Sequence, residues 1–83
     1  MFIHLGNNVV IPSQTLIAII NIKNPWTEDI KDIIALAEIE HRLKNVSAGE
    51  KMKSLIICDD CVYISPISSQ TLYKRANNFY GEV

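Results

Sequence analysis

The chain has 83 residues, of which 48% are hydrophobic and 20% charged, and its formal net charge is -1. That length allows one domain, residues 1–83, and excludes a second, while the apolar share is more than so small a chain buries by itself and points to self-association. A near-neutral charge excludes global attraction to nucleic acid or anionic lipid, so any such binding rests on a local cluster.

In chain order, "FIHLG" (2–6) and "VVIP" (9–12) are short apolar runs joined by Gly6, Asn7 and Asn8, residue types that accept positive φ, and they read as a hairpin. "TLIAIINI" (15–22) is β-branched and almost continuous, which suggests a strand buried on both faces or covered by a partner. This run is far shorter than a bilayer-spanning helix, and "MFIHLGNNVV" carries no basic region or cleavage site, so the expectation is a cytoplasmic protein with no membrane partner. "WTEDIKDIIALAEIEHRLKN" (26–45) predicts a long helix. Thr27 is its N-cap, Glu28 and Asp29 lie in the first turn, and His41, Arg42 and Lys44 close it. Ile30, Ile33, Ile34 and Ala37 form one core-facing stripe. Leu36, Ile39 and Leu43 fall roughly opposite and are the expected oligomer interface.

"VSAGEKMK" (46–53) reads as a loop leading into "SLIICDDCVYISP" (54–66). In that stretch only Asp59 and Asp60 separate Cys58 from Cys61, so a two-residue turn pairs Ile57 with Val62, Ile56 with Tyr63 and Leu55 with Ile64. Leu55, Ile57, Val62 and Ile64 then share an aliphatic side, expected to be the core, and Ile56, Tyr63 and both cysteines share a mixed one. Pro66 ends the second strand, and Ser68 or Ser69 caps a short helix through "QTLYKRANN", where Leu72 and Ala76 make an apolar pair. The tail "NNFYGEV" (77–83) is expected to fray. The predicted fold is α+β: a small, mostly antiparallel sheet packed against one long helix, with a short C-terminal helix.

Catalytic chemistry has little to stand on. One C-x-x-C plus His4 and His41, on separate elements, does not make a zinc set by spacing, and neither cysteine sits at a helix N-terminus as a redox pair requires. A cross-strand disulfide is sterically conceivable but opposed by a reducing cytoplasm, so the stretch reads as a tight turn with small, largely buried cysteines. No nucleophile elbow or glycine-rich phosphate loop is present, and no enzyme, cofactor or metal is expected. The basic residues say more. Alternation puts Lys51 and Lys53 on the same side of an extended segment, a geometry that can track phosphates, although solvated charge at a strand end has the same pattern. Repetition of the pair by symmetry would multiply the contacts.

Four stretches, "MFIHLGNNVVIP", "LIAII", "SAGEKMKSLII" and "VYISPISSQTLYKRA", in this order and nearly spanning the chain, resemble the RemA/RemB family of small bacterial regulators of biofilm-matrix genes, RemB-type members above all. The resemblance implies a cytoplasmic, non-enzymatic protein that forms a closed ring of identical subunits and activates transcription by engaging double-stranded DNA. RemA-type members carry an arginine before the "LIAII"-like strand and an arginine pair after the central-loop glycine. By position these fall at or beside Thr15 and on Glu50 and Lys51, with Lys53 matching a further basic residue. Thr15 and Glu50 depart from the basic pattern, leaving Lys51 and Lys53 as the expected phosphate contacts and Gln14 and Thr15 as weaker polar neighbours. The rival expectation is an oligomeric scaffold that binds another regulatory protein, with weak or no DNA binding.

Overall fold

In the computed structural model, which describes residues 1–81 and the side chains of residues 1–77, the first hairpin turns where the asparagines permit it. Asn7 and Asn8 have φ of 48° and 66°, and strands β1 (Phe2–Gly6) and β2 (Val9–Pro12) pair antiparallel, with Ile3 opposite Ile11. Gly6 sits at φ 104°, and a Cβ there would lie 3.3 Å from the Ile67 side chain, so both its backbone angle and its neighbour favour glycine. The hairpin is a two-stranded sheet of its own.

A 3-10 turn (Ser13–Thr15) leads into β3 (Leu16–Asn21). The second sheet has the order β3-β5-β6-β4, built with β4 (Leu43–Asn45), β5 (Ser54–Cys58) and β6 (Val62–Ser65). β3 and β6 pair antiparallel with β5, whereas β4 runs parallel to β6. The β5–β6 register is the one the two-residue turn demands: Ile57 faces Val62, Ile56 faces Tyr63 and Leu55 faces Ile64. β3 is an edge strand on which only Ile19 is buried, while Leu16, Ala18 and Ile20 are half-buried. Ile19 enters one core and Ile22, just beyond its end, the other, but an irregularity at Ile17 turns that side chain outward to 65% exposure.

Helix α1 (Glu28–Ile39) starts where its sequence says, with the Thr27 hydroxyl accepting the Ile30 N–H at 3.4 Å. It ends after 12 residues, much earlier than the 26–45 stretch suggested. His41 takes a left-handed φ of 58°, its N–H bonds the Glu38 carbonyl at 3.1 Å, and Arg42 N–H bonds the Ala37 carbonyl at 2.8 Å. This is a Schellman end, normally made by glycine, and it throws the chain into β4. Leu43 is therefore not on the helix face with Leu36 and Ile39. It lies on β4, half-buried against the core beneath α1. Ile30, Ile33, Ile34 and Ala37 do pack there as one stripe.

Helix α2 (Ser69–Gly81) is the longer of the two helices at 13 residues, so neither the single long helix nor the short C-terminal one describes the molecule. Ser68 is the cap, accepting the Thr71 N–H at 3.2 Å. The helix runs through most of the segment expected to fray, and residues 82 and 83 lie outside the described residues. Leu72 is fully buried and Ala76 packs against the same core.

The four-stranded sheet thus has a core on each face. Leu55, Val62 and Ile64 pack with Ile22 and Ala37 beneath α1. Ile56 and Cys58, on the side expected to be mixed, are buried with Ile3, Leu5, Ile11, Ile19 and Leu72 beneath the β1–β2 hairpin and α2. Ile57, assigned to the aliphatic core, is only half-buried. The layers are joined at two serines that face each other across β5 and β6, both wholly buried. Ser65 Oγ donates to the Leu5 carbonyl at 2.7 Å and accepts the Ile67 N–H at 3.0 Å, and Ser54 Oγ donates to the Ile67 carbonyl. Tyr73 adds a tie from α2, its hydroxyl donating to the Ile19 carbonyl at 2.7 Å.

Ser65→Ala should lower unfolding free energy by about 1–3 kcal/mol, because it leaves the buried Leu5 carbonyl and the half-buried Ile67 N–H without their partner. Urea unfolding of the two proteins measures this, with exposed Gln70→Ala as a control that stays within about 0.5 kcal/mol.

Candidate nucleic-acid interface

The chain reaches β5 through an extended segment anchored at its end. Lys53 N–H bonds the Ser65 carbonyl at 2.9 Å, and its own carbonyl accepts the Ile22 N–H at 3.1 Å. This continues the β3–β5 pairing past Asn21 and Ser54, so residues just after β3 lie against residues just before β5. Lys51 and Lys53 line one cavity of about 400 Å³, and Lys23 joins them from the β3 side. Among the described residues the ion pairs are Lys31 with Glu28 at 3.9 Å and Arg42 with Glu40 at 3.0 Å, so none of the three cavity lysines is paired with a carboxylate there. Glu50 is exposed beside them but does not line the cavity.

Gln14 and Thr15 are elsewhere. They belong to the 3-10 turn at the opposite end of β3, separated from the lysines by the length of the strand, roughly 17 Å at the usual rise per residue. The Thr15 hydroxyl donates to the Pro12 carbonyl at 2.7 Å, and its carbonyl accepts the Asp59 N–H at 3.0 Å. Thr15 therefore sits beside the acidic tip of the β5–β6 hairpin. Within one subunit the four residues do not form one surface.

Other cations are committed to the fold or scattered. Arg75 donates to the His4 carbonyl at 2.7 Å, and Arg42 donates to the Asp60 carbonyl at 3.0 Å as well as pairing with Glu40. Lys44 and Lys74 are exposed. Lys23 is the cavity residue that sequence reasoning passed over. Its signal lay in the pairing of β3 with β5, which a turn between adjacent strands does not provide, since α1 and β4 intervene.

Leu36 and Ile39 stand 57% and 75% exposed on the outer side of α1. At the hairpin tip both cysteines are free thiols, and Cys58 N–H bonds the Cys61 carbonyl at 2.9 Å. Burial pushes the Cys58 thiol above the ordinary range, a hydrogen bond with Thr15 acts the other way, and Asp60 and Asp59 add to the rise. Tyr63 is raised as well, by burial first and then by the neighbouring thiols. Both groups stay protonated and uncharged near neutral pH. Among the described residues, no three His, Cys, Asp or Glu side chains gather where they could hold a metal ion, and no helix is long and apolar enough to cross a membrane.

Comparison with known proteins places these features in a lineage. Residues 2–76 match the RemA-like family model, described as extracellular matrix regulatory protein A-like. The chain is 30% identical over 76 residues to extracellular matrix regulatory protein B of Bacillus subtilis, an alignment that covers 92% of this chain and 90% of the relative. It is also 30% identical over 78 residues to proteins named "Putative regulatory protein" in Bacillus cytotoxicus and Bacillus mycoides, covering 93% of this chain and 86% of each relative.

With its thiol buried and held protonated, Cys58 should react with iodoacetamide at pH 8 at least about tenfold more slowly than half-buried Cys61. Mass spectrometry of the alkylated peptides from native protein reads the two rates, and equal rates would contradict the placement of Cys58.

Proposed function

The chain belongs to the RemA-like family of extracellular matrix regulatory proteins, and on that premise we propose that it is a non-enzymatic, DNA-binding transcriptional regulator of biofilm and extracellular-matrix genes. It works in the cytoplasm as a homo-oligomeric ring whose subunits each offer Lys51 and Lys53 to the phosphates of double-stranded DNA. The observation that carries this reading is the set of lysines at the β3–β5 end of the sheet, which pair with no carboxylate among the described residues. One copy supplies too few contacts for useful affinity at physiological salt, because each neutralised phosphate adds only a small increment. A ring repeats them along one duplex, and each further contact then forms at high effective concentration. Leu36 and Ile39 are the apolar surface best suited to hold copies together, since both are open in the single chain and neither supports its core.

A second reading, an oligomeric scaffold that binds another regulatory protein with weak or no DNA binding, is favoured by one feature. Thr15, at or beside the family's basic position, lies against Asp59 at an acidic hairpin tip, which repels phosphate. The scaffold would bind without a steep salt dependence.

For the DNA reading, duplex affinity should fall by orders of magnitude between about 50 and 200 mM salt, and Lys51→Gln should flatten the slope of log affinity against log salt by about one for each engaged copy. Filter binding or fluorescence anisotropy across a salt series measures both, and absence of binding at low salt would leave the scaffold. Sedimentation velocity at micromolar concentration should show an assembled species that Ile39→Glu breaks into smaller ones without loss of secondary structure. A well-behaved wild-type monomer would remove the ring.

A further inference from the structure

We propose that the three-lysine cavity binds a free phosphorylated small molecule of mononucleotide size. The proposal rests on the DNA reading only in that the two share Lys51 and Lys53. A duplex needs charge spread along a surface, and ammonium groups on a rim would meet that need with no hollow behind them. Here there is a hollow of about 400 Å³, within the size range of small-ligand clefts, about 300–1,000 Å³. Its lining divides into the parts such a ligand requires. Lys23, Lys51 and Lys53 supply positive charge, and no aspartate or glutamate is among the lining residues. Ile22, buried in the core beneath α1, and half-buried Met52 provide an apolar floor for an organic group.

Asn21 and Asn24 add amide groups that can select an orientation, and Ser68 lines the wall with its hydroxyl donating to Thr71 Oγ1 at 2.9 Å. Ser68 is also the cap of the 13-residue α2, so the positive end of that helix lies at the cavity wall and reinforces the lysines. The walls are built before any ligand arrives, because the backbone bonds of Ile22 to Lys53 and of Lys53 to Ser65 hold two sides and the Ser68 cap holds the third. A second cavity makes a useful contrast. It measures about 200 Å³, is lined by Ile3, Ser13, Leu16, Ala76 and Asn77, and presents no charged side chain. A phosphate seated among the lysines takes up the same two ammonium groups that DNA would use, so occupancy weakens the DNA complex.

The probe is adenosine 5′-monophosphate titrated at low salt into full-length, DNA-free protein and followed by 1H–15N NMR. Saturable shifts confined to residues 21–24, 51–53 and 68 are expected, with adenosine giving none and inorganic phosphate binding at least about tenfold more weakly. Lys23→Gln, at an exposed position outside the proposed DNA contacts, should weaken the monophosphate at least about tenfold, the size expected for losing one charged hydrogen bond. No shift in these segments at millimolar monophosphate overturns the proposal, as does binding that phosphate alone matches and Lys23→Gln leaves unchanged. Duplex titrations separate this from the DNA reading. Monophosphate binding without duplex binding removes the DNA reading and keeps the cavity, whereas duplex binding with no monophosphate shift does the reverse. A duplex complex that saturating monophosphate leaves intact overturns the sharing of charge.

Discussion

Two buried hydroxyls hold the layers of this molecule in register. Ser54 and Ser65 face each other where β5 begins and β6 ends, and from that point they reach the Leu5 carbonyl and both backbone groups of Ile67. A buried polar group without a partner costs more than a good hydrogen bond contributes. The serines therefore commit the β1–β2 hairpin and the turn before α2 to one arrangement on the sheet. The consequences reach the surface. The Ser65 backbone carbonyl also accepts the Lys53 N–H, so the same junction fixes where the lysine-bearing segment leaves the sheet and where the cap of α2 stands beside it.

A sheet covered on both faces leaves little room for a site except at its ends. The two ends of this sheet differ in sign. One gathers Lys23, Lys51 and Lys53, and the other carries Asp59 and Asp60 at the hairpin tip beside Thr15. The net charge of -1 conceals this division, which is why a global figure excluded so little. A polarised subunit is well suited to head-to-tail contact between copies, in keeping with the proposed ring.

Local chemistry was the legible part. Asn7 and Asn8 marked a turn, Thr27 marked a helix start, and two residues between Cys58 and Cys61 set the β5–β6 register, because each depends on neighbours within a few positions. What failed was non-local. Nothing in "EIEHRLKN" announces that His41 will take the left-handed angle usually left to glycine, so the helix pattern ran on through Leu43. The mixed face of β5 became core because a separate hairpin and a second helix cover it, and alternation along one strand carries no record of that cover. Lys51 and Lys53 were found by alternation, yet Lys23 became their neighbour only through pairing across more than thirty intervening residues. Gln14 and Thr15 were grouped with them by family position and are separated by the strand itself.

The order β3-β5-β6-β4 also governs how the chain comes into being on the ribosome. Every strand of that sheet before β5 must wait for a partner made later: β3 for β5, and β4 for β6. The Leu5 carbonyl waits longer still, for a hydroxyl 60 residues downstream. An amino-terminal fragment thus holds the β1–β2 hairpin but no finished four-stranded sheet for it to pack on, and long-range closure of this kind is slow relative to helix formation. The four-stranded sheet can therefore be completed only after β6, its last strand in chain order, has been made.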